Sequence, residues 1–295
     1  MNNNILVSIG LPVYNANKKK LEKVIKSLIN QTHKNFELII SDNNSKESIS
    51  DIINKYKKNV NRNKILYFKQ KKNIGGWKNL HFVLKKSKGK YFVWSADDDI
   101  ISKDFIEKNL LFLENNLDYV GSISPARFEN YNFNQKSMGD HTIDDDNPIN
   151  RSLKSINNLH ANVRLRSLFR RNSLIKYFST GKIEFLGIDN LLMFKILFDG
   201  KIKRIKTGYM IVGKQGISSS LKKIMRITRN NYFTIFFAFN QLFSNVFIFY
   251  KKNKIKINFI TKFYILFLML RLNIRYVYVN LFKVSLYNLI HKYIK

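Results

Sequence analysis

The sequence predicts an α/β fold, a mostly parallel sheet flanked by helices, with a basic, aromatic helical extension at its C-terminal end. Three observations carry this. Short apolar runs rich in Ile, Val and Phe alternate, over the first 120 residues, with stretches whose apolar residues recur at helical spacing. Polar turn residues follow the apolar runs. Of the 295 residues, 45% are hydrophobic and 14% aromatic, enough to fill a large core, so composition argues against a disordered chain.

The elements follow in order. Ile5 to Leu11 forms a strand that Pro12 ends, and Leu21, Val24, Ile25, Leu28 and Ile29 line one helix face. Phe36 to Ile40 is the second strand, with Ser41-Asp42-Asn43-Asn44-Ser45 as its turn. Ile49, Ile52, Ile53 and Tyr56 mark the next helix, Ile65 to Phe68 a third strand, and Leu80, Val83 and Leu84 a helix after Gly75-Gly76. Tyr91 to Trp94 is the fourth strand, and Phe105, Ile106, Leu110 and Leu113 are helical after it. One strand, Tyr119 to Ser124, precedes a long polar loop reaching about residue 160. A helix follows Asp189, and Lys203 to Val212 contains a strand.

From Leu221 onward the composition changes, dividing a domain of residues 1–220 from a region of residues 221–295. Tyr232 to Tyr250 is rich in Phe, yet Thr234, Asn240, Gln241, Ser244 and Asn245 gather on one side. Phe263 to Leu270 is too short to span a bilayer alone, which takes about 20 apolar residues. Flanking Lys251, Lys252, Lys254, Lys256, Arg271 and Arg275 complete the pattern of helices lying in a membrane interface. The alternative is that these helices cap the sheet domain with Phe packed inward.

Charge points the same way. The chain carries 52 Lys+Arg against 20 Asp+Glu, and every acidic residue lies at or before Asp199, while residues 200–295 hold 19 Lys+Arg. An AT-rich genome would raise Lys uniformly, but would not strip every acid from the last third. A nucleic-acid-binding protein is one rival class; no recognised motif supports it, and the basic residues concentrate in an apolar tail. Cysteine is absent, which excludes disulfides and thiolate metal sites. Met1-Asn2-Asn3-Asn4 lacks the regions of a signal peptide, so a cytoplasmic protein peripheral to the inner membrane face is expected.

Asp97-Asp98-Asp99 ends the fourth strand. Two carboxylates about 6 Å apart repel by roughly 2–3 kcal/mol at an effective dielectric near 20. Strand ends in α/β sheets are where ligands bind, so a hard divalent cation gripping phosphate would offset the repulsion. A solvated acidic turn is the plainer reading for a bare triplet, and Asp144-Asp145-Asp146, with no strand before it, is read as such a loop.

Val7 to Asn15, Gln31-Thr32, Phe36 to Ser45, Asn73-Ile74-Gly75 and Ala96 to Asp99 together resemble the family 2 glycosyltransferases, which have the GT-A fold. The resemblance covers roughly residues 5–220. It implies that Pro12, Tyr14, Asn15, Asp42, Asn73 and Asp97 bind a nucleotide-sugar donor. It also implies that Asp98 and Asp99 hold Mn²⁺ or Mg²⁺ across the donor diphosphate. The register within the triplet stays open, with Asp98 first. Asp189, in Gly187-Ile188-Asp189-Asn190, resembles the family's catalytic base, with Glu184 in reserve; a helix N-cap is its structural alternative.

His160, Arg164, Arg166, Arg170 and Arg171 read mostly as a solvated basic face, His81 as packed, and Trp77 and Trp94 as core or sugar-stacking. Lys214 to Ser218 stands where processive synthases carry Gln-x-x-Arg-Trp, which implies single addition. The expected function is inverting transfer of a sugar to a glycan or lipid-linked acceptor in bacterial polysaccharide, lipopolysaccharide or capsule synthesis. An inactive membrane-associated scaffold of the same fold is the remaining rival.

Overall fold

A computed structural model describes residues 4–59, 64–157, 161–178, 185–213 and 237–281. Its centre is a seven-stranded sheet. In chain order the strands are β1 (Val7–Val13), β2 (Phe36–Asp42), β3 (Ile65–Lys69), β4 (Tyr91–Trp94), β6 (Tyr119–Ile123), β8 (Leu168–Arg170) and β9 (Lys201–Arg204), with spatial order β3-β2-β1-β4-β8-β6-β9. β1 runs parallel to β2 and β4, β2 to β3, and β6 to β9, while β8 is antiparallel to both its neighbours. β1, β2 and β4 are buried almost throughout, as strands covered on both faces must be. A second sheet joins β5 (Ile100–Ile101), β10 (Met210–Val212) and β7 (Ala126–Phe128).

Helices α1 (Lys18–Ile29), α2 (Ser50–Asn59), α3 (Gly76–Lys86) and α4 (Phe105–Asn115) connect the parallel strands. The predicted α1 stripe is buried at Leu21, Val24, Ile25 and Leu28, and the Asn17 side chain accepts from the Lys20 N–H to cap the helix. Buried Gln31 donates to the Ser102 carbonyl (2.9 Å) and accepts from the Ile106 N–H (3.1 Å), fastening the end of α1 to the start of α4.

Two boundaries differ from expectation. Pro12 lies inside β1. The Gly10 carbonyl accepts from Ser95 N–H and the Val13 carbonyl from Asn43 N–H, so alternate residues serve β4 and β2. Pro12 falls on the β4 side beyond the last paired residue, so its missing N–H breaks no ladder bond. The polar stretch before residue 160 is also more ordered than a loop, containing β7, α5 (Gln135–Met138) and α6 (Pro148–Ser155). Arg151 of α6 donates to the Leu197 and Phe198 carbonyls, satisfying orphan acceptors at the end of α8 (Ile188–Asp199).

The C-terminal helices α9 (Asn240–Lys252) and α10 (Phe259–Leu281) share a core with α6 and α8, built from Leu153, Phe194, Phe243, Phe249 and Leu268 among others. The described part of the Phe-rich segment therefore turns Phe243 and Phe249 inward, and its polar residues Asn240, Gln241 and Ser244 are exposed. This is the core-capping arrangement for α9. Thr234, Leu221 and Tyr232 lie outside the described residues, as does the expected boundary at 220. Among the described residues no helix is long and apolar enough to cross a membrane.

Candidate functional site

The loops after β1, β2 and β4 emerge at one edge of the sheet, where the carboxyl ends of parallel strands leave a crevice. Exposed Asn15 has φ +50° and holds the first two loops together: its N–H donates to Ser45 Oγ (2.9 Å), and its Oδ1 accepts from Lys46 N–H (2.9 Å). Asp42 is fully buried at the end of β2, accepting from Ser45 N–H at 2.9 Å and from the Tyr67 hydroxyl at 3.3 Å. Asn43 donates to Asn73 Oδ1 (3.0 Å), which also accepts from Gly75 N–H (2.9 Å) at the start of α3. Pro12 is half-buried, whereas Tyr14 and Asn73 are exposed along this edge.

The acidic triplet is not three equivalent groups. Asp97 and Asp98 are half-buried, and Asp99 is 0% exposed. Burial pushes the Asp97 carboxyl up to about 6, the charges of Asp98 and Asp99 push the same way, and the Tyr14 backbone N–H partly offsets them. Asp99 Oδ1 accepts from Gly213 N–H (3.0 Å), while its Oδ2 is ion-paired with Arg166 and accepts from Ala96 N–H. Both oxygens of Asp99, expected on the metal with Asp98, thus serve protein donors. Gly213 approaches so closely that a Cβ built on it would overlap the Asp98 carboxylate.

Arg166 ends a 3-10 turn, Val163–Arg166, that touches both β4 and α8. Immediately before it, Asn162 has φ +48° and donates from Nδ2 to Asp189 Oδ2 at 2.8 Å. The turn spans only about 8 Å at 2 Å per residue. It therefore ties Asp189 to the acidic triplet. Asp189 occupies the first turn of α8, one residue past the start, a position that suits a carboxylate. The N-cap is Gly187, so the capping role considered for Asp189 is not the one it has. At φ +86° Gly187 needs its freedom, and a Cβ there would also press on Leu242 of α9.

The arginines correct the expectation of a solvated basic face. Arg164 is 0% exposed beside His141, Arg170 donates to the carbonyls of Tyr119, Leu113 and Asn116, and Arg171, which opens α7 (Arg171–Tyr177), donates to Ser87 Oγ. Each holds elements together, Arg164 from the interior and Arg170 and Arg171 from half-buried positions. Trp94 is buried and donates to the Leu80 carbonyl, so it is a core residue, and Trp77 and His81 both stack on Phe178. Asp145 and Asp146 pair with Lys154 and Lys201 in a loop, as read from sequence. Glu184, His160 and Lys214 to Ser218 lie outside the described residues. Asn162 and Gly213 were missed; the positive φ and the close approach that single them out have no local sequence signature.

Comparison with known proteins agrees with this fold. The family model for glycosyl transferase family 2 matches residues 8–178. An uncharacterized glycosyltransferase of Rickettsia conorii is 40% identical over 114 residues, covering 39% of this chain and 18% of that protein. The UDP-Glc:alpha-D-GlcNAc-diphosphoundecaprenol beta-1,3-glucosyltransferase WfaP of Escherichia coli is 34% identical over 109 residues, covering 37% of this chain and 41% of that one. The aligned segment thus spans less than half the length of either relative. Among solved structures, the mannosyltransferase PcManGT of Pyrobaculum calidifontis, in complex with GDP-Man and Mn²⁺, superposes with a TM-score of 0.58 at 12% identity, covering 97% of this chain and 78% of that one. That likeness shows a shared fold.

Proposed function

Because the chain belongs to glycosyl transferase family 2, we propose that it transfers a sugar from a nucleotide-sugar donor to a hydroxyl of a glycan or lipid-linked acceptor. One observation carries this reading: a single 3-10 turn ties the first-turn carboxylate Asp189, through Asn162, to the Asp97–Asp99 triplet, through Arg166.

The residues fit a divalent cation. Mg²⁺-type ions are held by one or two carboxylates plus substrate phosphates, and no group of three acidic or His ligands occurs among the described residues. Asp97, raised by burial and by its like-charged neighbours, is the kind of group a cation relieves. In this proposal Asp98 is the first ligand and Asp97 lies beside it. Asp99, committed to Arg166 and Gly213, sets the shape of the turn. When bound, Mn²⁺ or Mg²⁺ supplies Lewis-acid neutralisation of charge on the departing nucleoside diphosphate.

Tyr14, Asn15 and Asn73 line the edge available to the nucleoside, and fully buried Asp42 meets a nucleobase N–H there only where Ser45 or Tyr67 gives way to it. Asp189 takes the proton of the acceptor hydroxyl as its oxygen attacks the anomeric carbon. The bond from that carbon to the diphosphate oxygen breaks, its electron pair leaves with the nucleoside diphosphate, and in-line attack inverts configuration. The Asn162 bond to Oδ2 fixes the carboxylate so that Oδ1 meets the proton. The acceptor belongs to bacterial surface polysaccharide, lipopolysaccharide or capsule synthesis. The protein works peripherally at the cytoplasmic membrane face, its region from residue 221 serving that attachment. The excess of basic and aromatic residues there supports this placement.

A panel of UDP-, GDP- and dTDP-sugars with Mn²⁺ tests the reading. Release of nucleoside diphosphate by the full chain is expected for at least one donor. Asp189→Asn is expected to cut that release by roughly 10²–10⁴-fold, as loss of a general base does. Turnover equal to wild type in Asp189→Asn would remove Asp189 from the chemistry.

A further inference from the structure

Helix α10 is apolar on two opposite sides, and among the described residues only one of them is packed. Ile265, Leu268, Leu272 and Tyr276 recur at helical spacing and are buried in the core shared with α8 and α9. At 100° per residue the opposite side carries Phe259, Ile260, Phe263, Phe267, Leu270 and Ile274 within roughly a third of the circumference. Those residues are exposed, Phe259 by 80%, Ile260 by 76% and Phe263 by 65%. The stripe runs for about 23 Å at 1.5 Å per residue. A helix apolar all round is ordinarily buried on every side, and contiguous exposed apolar patches of this kind mark interaction surfaces.

We propose that this outer face of α10 is a docking surface for an anionic lipid bilayer. Charge selects the occupant. Lys251, Lys252, Lys254 and Lys256 precede the stripe and Lys262 lies beside it, all exposed, and no acidic residue follows Asp199 anywhere in the chain. A second copy would bring a net charge of +32 against +32, whereas anionic headgroups meet the lysines while the acyl boundary receives the Phe and Leu side chains. Among the described residues no helix is long and apolar enough to cross a membrane, and a basic helix with an exposed apolar face suits the interface plane. The C-terminal helices thereby divide by role, with α9 sealing the core and α10 bridging core and bilayer. This division deepens the reading of a membrane-attached transferase and rests on that reading for its purpose.

The test uses the full chain with phosphatidylcholine vesicles, with and without phosphatidylglycerol. Sedimentation with the phosphatidylglycerol vesicles only, weakened roughly tenfold or more in Phe263→Ser/Phe267→Ser at unchanged melting temperature, is the expected result. Lys254→Glu/Lys256→Glu is expected to weaken binding as well, without touching the apolar stripe. No binding to anionic vesicles, or equal binding by Phe263→Ser/Phe267→Ser, overturns the proposal. A dimer in solution that this variant dissociates also overturns it, in favour of a second copy. Donor turnover measured without vesicles separates the two readings: vesicle binding with no turnover of any donor leaves the docking face standing and removes the transferase reading.

Discussion

Asn162 donates from Nδ2 to Asp189 Oδ2 at 2.8 Å, from a backbone in the left-handed region at φ +48°. A non-glycine residue there costs of order 1 kcal/mol or more, which surrounding contacts must offset. The turn that follows it reaches Arg166 and through it Asp99, so the strained residue stands at the junction between the candidate base and the acidic triplet.

Asn162→Gly keeps the backbone conformation and removes the donor. A hydrogen bond to a charged group contributes about 1.5–3 kcal/mol, so kcat is expected to fall roughly 10- to 100-fold. Donor KM is expected to change little, because the residue orients the base. Steady-state kinetics separate the two, and a pure KM effect would show that Asn162 serves donor binding instead.

Arg166→Met leaves Asp99 buried without its cation. Breaking a buried pair on one side costs about 3–5 kcal/mol. Arg166→Met/Asp99→Asn is expected to recover much of that loss, since Asn can still accept from the Gly213 N–H. Urea denaturation of the two variants measures it; equal destabilisation would mean that the pair contributes no coupling.

Gly213→Ala asks whether Asp98 is held in place by close approach. The backbone of Gly213 is not left-handed, so Ala fits the chain but not the space occupied by the Asp98 carboxylate. Displacing a ligand-positioning group by about 1 Å costs up to roughly 10²-fold, and a fall of that order in kcat/KM is expected at unchanged melting temperature. Wild-type kcat/KM would show that Asp98 moves without consequence.

His141 gives a pH signature. Burial holds its ring down to about 4, with the nearby Arg164 cation acting in the same direction and Asp140 opposing. The folded pKa lies below the unfolded value near 6.5, so the unfolded chain binds more protons between the two. Stability is therefore complete above about 6.5 and falls as pH drops toward 4. For this half-buried ring the contribution is about 1–2 kcal/mol. In His141→Gln, the loss of stability between pH 7.5 and 5 is expected to be smaller than in wild type by that amount, as read from urea midpoints.

The strands of the large sheet and the helices up to residue 115 were legible because local pattern and tertiary burial agree there; β4, Tyr91–Trp94, was read residue for residue, and the two-residue β5 was not read. Helix α6 was not, because its inward residues include Arg151, Ser152 and Ser155: Arg151 donates to the Leu197 and Phe198 carbonyls far along the chain, and the two serines turn their hydroxyls onto carbonyls of the helix itself. The acidic triplet was legible as a strand-end cluster. Its internal division was not, since Asp99 finds Arg166 and Gly213 at 67 and 114 residues' separation. The same distance hid the arginines: Arg170 meets carbonyls over 50 residues away, so the run resembles a surface patch until it is folded. In α10 helical periodicity alone could not say which apolar side faces the core.

Thermal unfolding of the full chain with nucleoside diphosphates, with and without Mn²⁺, tests the central claim most directly. A ligand at 100 times its dissociation constant adds about 2.7 kcal/mol to the folded state. The account predicts Mn²⁺-dependent stabilisation by at least one of UDP, GDP and dTDP, lost in Asp98→Ala while that variant melts as wild type without ligand. Stabilisation by none of them, or equal stabilisation of Asp98→Ala, would contradict the assignment of the triplet to a metal–diphosphate site.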